Sequence, residues 1–354
     1  MEKNEAESYF KGRGSQIKTD NKFLKYRYVS EHIEGLDEPL IQSPHTKVYH
    51  EHSKSIVNKI ESPDLGMMYS LNPYQGCEHG CSYCYARNTH EYYGFDAGLD
   101  FESKIIAKAN AAQLLEKLFH KATWKPVPIS IAGNTDCYQP LERKMELTRS
   151  LLKIFARYRH PVGMITKNSL ILRDKDLLQD LAQDRLIKVF ISITSLDEHV
   201  RRTMEPRTAS ASKRLKTIEE LSLAGIPVGV MCAPIIPGLT DHETPAILKA
   251  AADHGALTAG MTVVRLNGSV GPIFEDWIHK NFPDRAHKVI AQICSMHGGQ
   301  LNDSLFGRRM RGEGKVAEMI NLLFATSKRK HFAGKAMPEF DLSKFRKGGN
   351  LNLF

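Results

Sequence analysis

Asn72-Pro73-Tyr74-Gln75-Gly76-Cys77-Glu78-His79-Gly80-Cys81-Ser82-Tyr83-Cys84-Tyr85-Ala86-Arg87 is the stretch around which the rest of this chain is read. Three cysteines fall within eight residues at the spacing C-x3-C-x2-C, and an aromatic residue immediately precedes the third. Gly76 and Gly80 let the backbone curl tightly enough to turn the three sulfurs toward one centre. Thiolates are soft ligands that suit zinc or an iron–sulfur cluster, and ferredoxin clusters usually take four cysteines. The next cysteine here is Cys137, so three thiolates would hold three irons of a [4Fe-4S] cube and leave the fourth iron open to a small molecule. A structural zinc site on Cys77, Cys81, Cys84 and His79 competes with that reading. Zinc cysteines usually come in pairs answered by a second pair, and none follows. A disulfide framework fits less well still, for crowded thiols in a long chain without a secretion signal.

The chain has 354 residues, 42% hydrophobic and 25% charged, which is ordinary for a globular protein with a sizeable core. No apolar run reaches the length of a membrane span, and Met1–Glu7 lacks the apolar core of a signal peptide. A cytoplasmic protein with no membrane partner is expected. The net charge is +9, of which an excess of six lies in Leu301–Phe354. A second basic stretch carries Lys11, Arg13, Lys18, Lys22, Lys25 and Arg27 against Asp20, with Phe23, Tyr26 and Tyr28 interleaved. Such patches suit a phosphate-bearing partner such as nucleic acid; solvated faces and a tail explain them equally well.

Residues 1–60 read as a basic arm, 61–268 as a core barrel, 269–326 as a helical flank and 327–354 as a basic tail. Within the core, strand signals at 66–71, 127–132, 162–166, 187–193, 228–233 and 260–266 alternate with helical stretches at 104–121, 141–159, 174–183, 213–224 and 243–254. Strand–helix units with short connections imply an α/β fold with a parallel sheet, for which a partial (β/α)6 TIM-type barrel is the natural closure. In such barrels chemistry sits at the C-terminal ends of the strands.

The cysteine motif matches, position for position, the C-x3-C-x-(aromatic)-C signature of the radical S-adenosylmethionine (SAM) superfamily. The barrel from about Leu65 to Asn267 resembles the spore-photoproduct-lyase-like branch. Lys11-Gly12-Arg13-Gly14 and Arg309-Met310-Arg311-Gly312-Glu313-Gly314 resemble a bacterial subfamily within it. That resemblance implies a [4Fe-4S] cluster on Cys77, Cys81 and Cys84, SAM on its open iron, and an external electron donor of the flavodoxin or ferredoxin kind. One electron would cleave SAM to methionine and a 5′-deoxyadenosyl radical, leaving the protein to position the reactants and exclude water.

Thr166-Lys167-Asn168 resembles an element whose lysine approaches the SAM carboxylate; Lys167 is otherwise a loop lysine. Ser192 matches a serine that bonds the SAM ribose, or else satisfies a backbone group. Glu205-Pro206-Arg207-Thr208 resembles a family element from which Arg207 would reach SAM or a substrate phosphate, with a loop salt bridge as the plain alternative. Pro234, in Ala233-Pro234-Ile235-Ile236-Pro237-Gly238, would pack on adenine, and Tyr83 would border the adenine through its backbone. Asn134-Thr135-Asp136 replaces a glycine–glycine–glutamate element that holds the SAM amino group, so Thr135 or Asp136 would do that work or cap the next helix. Cys137 shares the loop in which spore photoproduct lyase carries a hydrogen-donating cysteine, though not the same step of the motif, and is otherwise a packing residue. The implied function is radical SAM chemistry on nucleic acid, a lyase-like repair of linked pyrimidines. The alternatives are radical modification of a protein or small molecule, and a non-catalytic, zinc-stabilised nucleic-acid-binding protein.

Overall fold

The computed structural model describes residues 10–23 and 45–348. Lys25, Tyr26, Arg27 and Tyr28 of the basic arm lie outside the described residues. Strands β1 (Lys47–Glu51) and β2 (Val57–Lys59) precede β3 (Tyr69–Leu71), whose end opens into the cysteine loop. That loop contains β4 (Tyr74–Gln75) and leads through a 3-10 segment (Tyr85–Tyr93) to α1 (Leu99–Ser103), β5 (Lys104–Lys108) and α2 (Ala111–His120). Regular alternation follows: β6 (Ile129–Ile131), α3 (Glu142–Met145), α4 (Leu147–Tyr158), β7 (Val162–Thr166), α5 (Lys175–Gln183), β8 (Ile187–Ser192). Then come α6 (Glu198–Met204), α7 (Ala211–Leu223), β9 (Val228–Ile235), α8 (Thr244–Asp253) and β10 (Ala259–Val263). Helices α9 (Val270–Asn281), α10 (Pro283–Met296) and α11 (Gly314–Phe332) complete the order.

The main sheet runs β10-β9-β8-β7-β6-β3-β2, parallel from β3 to β10 and antiparallel only at β2. Strands in chain order with helical crossovers are what right-handed β-α-β units produce. Because β3 and β10 are not neighbours, the six parallel strands form an open, partial barrel. Ile131, Met164, Val189 and Val230 bury the sheet against Leu115, Phe155, Leu181 and Ile218 of the helices. A second cluster, including Val264, Phe274, Trp277 and Val289, holds α9 and α10 beside the cysteine loop. Among the described residues no helix is long and apolar enough to cross a membrane.

Two helices expected from periodicity are divided. Residues 104–108 form a strand because β1 pairs with it in parallel and β4 antiparallel, burying Ile105, Ile106 and Ala107; tertiary pairing overrides a helical spacing of apolar residues. The 141–159 stretch breaks at Glu146, whose φ is 51°. Glu142 is the cause: its buried carboxylate accepts the amide of Thr148 at 3.1 Å, capping α4 from a turn earlier, while Tyr74 and Arg173 bond it from outside. Helix α6, absent from the periodic reading, starts on Asp197, which accepts the amides of His199 and Val200.

The basic tail also departs from a solvated extension. Helix α11 runs through Ser327 to Phe332, and the chain then crosses the loops that enter the strands. The Arg346 amide donates to Tyr158 O at 2.9 Å, Lys347 Nζ to Ala122 O at 2.8 Å, and Phe345 packs edge-on against Phe119 and His160. These loops lie at the N-terminal ends of β6, β7 and β8, opposite the end where the cysteine loop sits.

Candidate active site

The cysteine loop is held almost wholly by backbone and buried charge. Both glycines have positive φ, and a Cβ at Gly80 would lie 2.7 Å from Glu102 Oε2. The Cys77 amide donates to Phe101 O, the Ser82 amide to Met204 O, and the Glu78 amide to Gln139 Oε1. Arg87, fully buried, donates to Cys81 O, Ala97 O and Gly98 O and pairs with Glu102 at 2.5 Å. Glu102 also accepts the amides of Gly14 and Ser15 at 3.0 and 2.7 Å, and Arg13 donates to Glu102 O at 2.7 Å. The arm therefore presses on the loop backbone to backbone: a Cβ at Gly14 would sit 1.5 Å from Gly80 O. Arg13 is buried, so this part of the basic arm serves the loop.

Cys77, Cys81 and Cys84 are free thiols. Burial pushes all three up in pKa, and the negative charge of Asp136 and of the neighbouring thiolates adds to this at Cys77. Such thiols give up their protons only when a metal centre takes their place, so the loop would bind its metal with release of protons. His79, the fourth ligand of the zinc reading, instead has Asp136 at 3.4 Å on one ring nitrogen and Asn168 at 3.2 Å on the other.

The strand ends bring further groups to this loop. Lys167, just past β7, lies over the Tyr83 ring at 6.0 Å. Burial alone would lower its pKa, but Cys81, Glu205, Asp136 and Cys84 together raise it. The Tyr83 hydroxyl donates to Glu205, and Glu205 pairs with Arg214 at 2.5 Å. Burial works to raise the Glu205 pKa, yet Arg214 and Lys167 hold it down at about 2. Arg214 also donates to Ser192 O, tying the end of β8 into the same network. Asp136 has both carboxylate oxygens engaged, by Thr166 Oγ1 at 2.7 Å, the Lys167 amide at 2.8 Å and the Tyr138 amide at 2.9 Å. Thr135 is buried and donates to Tyr74 O. Pro234 lies at the C-terminal end of β9, beside the end of β10. Arg207 stands apart: its amide donates to His79 O and its Nε to Gly12 O, on the outer side of the loop. Sequence reasoning missed Glu102, Arg87 and Arg214, because a single charged residue on an apolar face carries no spacing signal.

The family model described as the radical SAM superfamily matches residues 71–251. The chain belongs to the radical SAM superfamily. An uncharacterised protein of Mycobacterium tuberculosis is 32% identical over 234 residues, 65% of this chain and 69% of its own. An uncharacterised protein of Methanocaldococcus jannaschii is 30% identical over 191 residues, covering 54% and 68%. Among solved structures, a spore photoproduct lyase variant with bound AdoMet and dinucleoside spore photoproduct superposes with a TM-score of 0.59 at 17% identity, covering 83% of this chain and 82% of that one. The radical SAM fold is thus shared with that enzyme.

This chain is a radical SAM enzyme whose cofactors are a [4Fe-4S] cluster and SAM. The donor set fits them. Cys77 and Cys81, buried, and Cys84, half-buried, with no nearby fourth suit three irons. Lys167 has no carboxylate at ion-pair distance among the described residues, although Glu205 and Asp136 lie near enough to raise its pKa. Ser82 Oγ, Thr194 Oγ1 and Asn267 Oδ1 are buried at the C-terminal ends of the strands without a hydrogen-bond partner among the described residues. Such groups are costly unless a ligand completes them. Cys137, by contrast, is fully buried in the apolar core that contains Ile131 and Leu151. Cys137→Ala is accordingly expected to cost about 1 kcal/mol of stability and leave SAM cleavage intact, as thermal unfolding and 5′-deoxyadenosine release would show; loss of substrate turnover alone would assign it the hydrogen-donor role.

Proposed function

We propose that this radical SAM enzyme acts on nucleic acid in the cytoplasm, with a lyase-like reaction on linked pyrimidines as the specific case. The observation that carries the reading is charge at the C-terminal ends of the strands. Arg265, just past β10, is half-buried beside Arg309 and Tyr85, and burial and Arg309 together lower its pKa. Arg309 is fixed there by Asp64 and Ser62. Spore photoproduct lyase, of the same fold, is seen with a dinucleoside spore photoproduct, which lends the reaction class.

In this reading Cys77, Cys81 and Cys84 hold the cluster, and Lys167 pairs with the SAM carboxylate. Tyr83 and Pro234 border the adenine. Ser192, on the strand that Arg214 anchors, offers the ribose its hydroxyl. Asp136 orients Lys167 by holding its amide, and Thr135 fixes the loop after β6 against Tyr74. The cluster, once reduced by an external flavodoxin- or ferredoxin-like donor, supplies the electron that cleaves SAM.

The test is anaerobic reconstitution followed by assay of 5′-deoxyadenosine release with and without ultraviolet-irradiated oligonucleotide. Stimulated release and loss of the linked pyrimidines are expected. Unstimulated cleavage with no nucleic-acid binding would move the substrate to a protein or small molecule.

A further inference from the structure

On the outer side of the cysteine loop, three strand-to-helix connections enclose a cleft of about 340 Å³. Arg143 lines it from α3, Ser169 from the segment after β7, and Arg207, Ser210 and Lys213 from the entry into α7. None of its lining residues is acidic. Arg143 and Lys213 are exposed and meet no carboxylate among the described residues. Arg207 shares an ion pair with Glu78, whose Oε1 is 3.9 Å from its Nη1. Arg207 lines the cleft while its Nε donates to Gly12 O at 3.0 Å. Helix α7 starts in the wall, its first turn capped by Ser210 Oγ accepting the Lys213 amide at 3.3 Å, so the positive end of a 13-residue helix adds to the three side chains.

Cations gathered in a concave surface, two of them without an ion-pair partner among the described residues, raise the local concentration of anions. The donor set narrows the choice. The guanidinium of Arg143, the ammonium of Lys213, serine hydroxyls and the remaining N–H groups of Arg207, spaced around a hollow, match the several acceptor oxygens of a phosphodiester better than a planar carboxylate on a protein surface. We propose that this cleft is a phosphate subsite that grips the backbone of the nucleic-acid substrate next to the reaction centre, an assignment that rests on the nucleic-acid reading above. The cleft is well placed for such a grip. Asn168 in its wall directly follows Lys167, and the Arg207 amide is bonded to His79 between two of the cysteines. A strand held here is anchored to the cysteine loop itself.

The double variant Arg143→Gln/Lys213→Gln tests this with the reconstituted full chain and a short fluorescein-labelled DNA duplex titrated at several salt concentrations. Neither residue belongs to the cofactor site, so basal SAM cleavage and the circular-dichroism spectrum should match wild type. The slope of log affinity against log salt should fall by about two, and affinity at 0.1 M salt by roughly 50-fold for two lost phosphate contacts. Lys121→Gln/Lys125→Gln, an equal charge change in the loop entering β6, should alter neither. Unchanged DNA affinity in the cleft variant, with wild type binding normally, would overturn the subsite and leave the nucleic-acid reading standing. Slower reduction by an acidic electron-carrier protein with DNA affinity unchanged would also overturn it, as a donor-docking face. Wild type that binds no nucleic acid would overturn both readings together.

Discussion

Cys81→Ala should abolish both iron retention and 5′-deoxyadenosine release. The wild-type chain should carry about four irons and four sulfides after reconstitution, and the variant should fall to trace levels. Cys81 lies mid-loop, its carbonyl fixed by Arg87 and the next amide by Met204 O, so its sulfur cannot be replaced from elsewhere. Cys137 and Cys232 sit in the apolar core, and Cys294 lies on α10. The loss should be chemical rather than structural. Removing one thiol from this loop costs about 1 kcal/mol of packing, so the unfolding midpoint without cofactor should barely move. Iron and visible absorbance equal to wild type in the variant would contradict the assignment. Zinc in place of iron in the wild type would revive the structural-metal reading.

Glu102→Ala should be strongly destabilising. It strips the partner from Arg87, which is completely buried, and from the amides of Gly14 and Ser15 in the arm. An uncompensated buried charge typically costs about 3–5 kcal/mol, against a total stability of about 5–15 kcal/mol for most domains. Urea denaturation should show the midpoint collapsing, with cofactor binding lost in parallel. The double variant Arg87→Met/Glu102→Leu separates the two contributions. It removes the stranded charge, so part of the stability should return, while the arm amides stay unsatisfied. If Glu102→Ala unfolds at the wild-type urea concentration, the arm and the loop are not coupled through this carboxylate.

The cysteine triplet, the strand–helix alternation and the positions of β7, β8 and β9 were legible in the sequence because each is a local pattern. A thiolate spacing, a short apolar run and a glycine stop declare themselves within about ten residues, and Gly225 does end α7 with a φ of 72°. Where local pattern and tertiary pairing disagreed, as at Lys104–Lys108, the pairing with β1 and β4 decided. Sequence also could not tell which charges serve the fold. Arg13 and the tail's Lys347 look like a nucleic-acid footprint in composition, yet one is buried against Glu102 and the other donates its ammonium to a loop at the far end of the strands. Arg143, Arg207 and Lys213, scattered over seventy-one positions of the chain, carry no run or periodicity and meet only in the folded protein. The sequence by itself determined the chemistry, since thiol ligands must be close along the chain to form one tight loop. Only the tertiary structure decided what supports that loop and which cations remain free, because long-range burial pairs some charges and leaves others facing solvent.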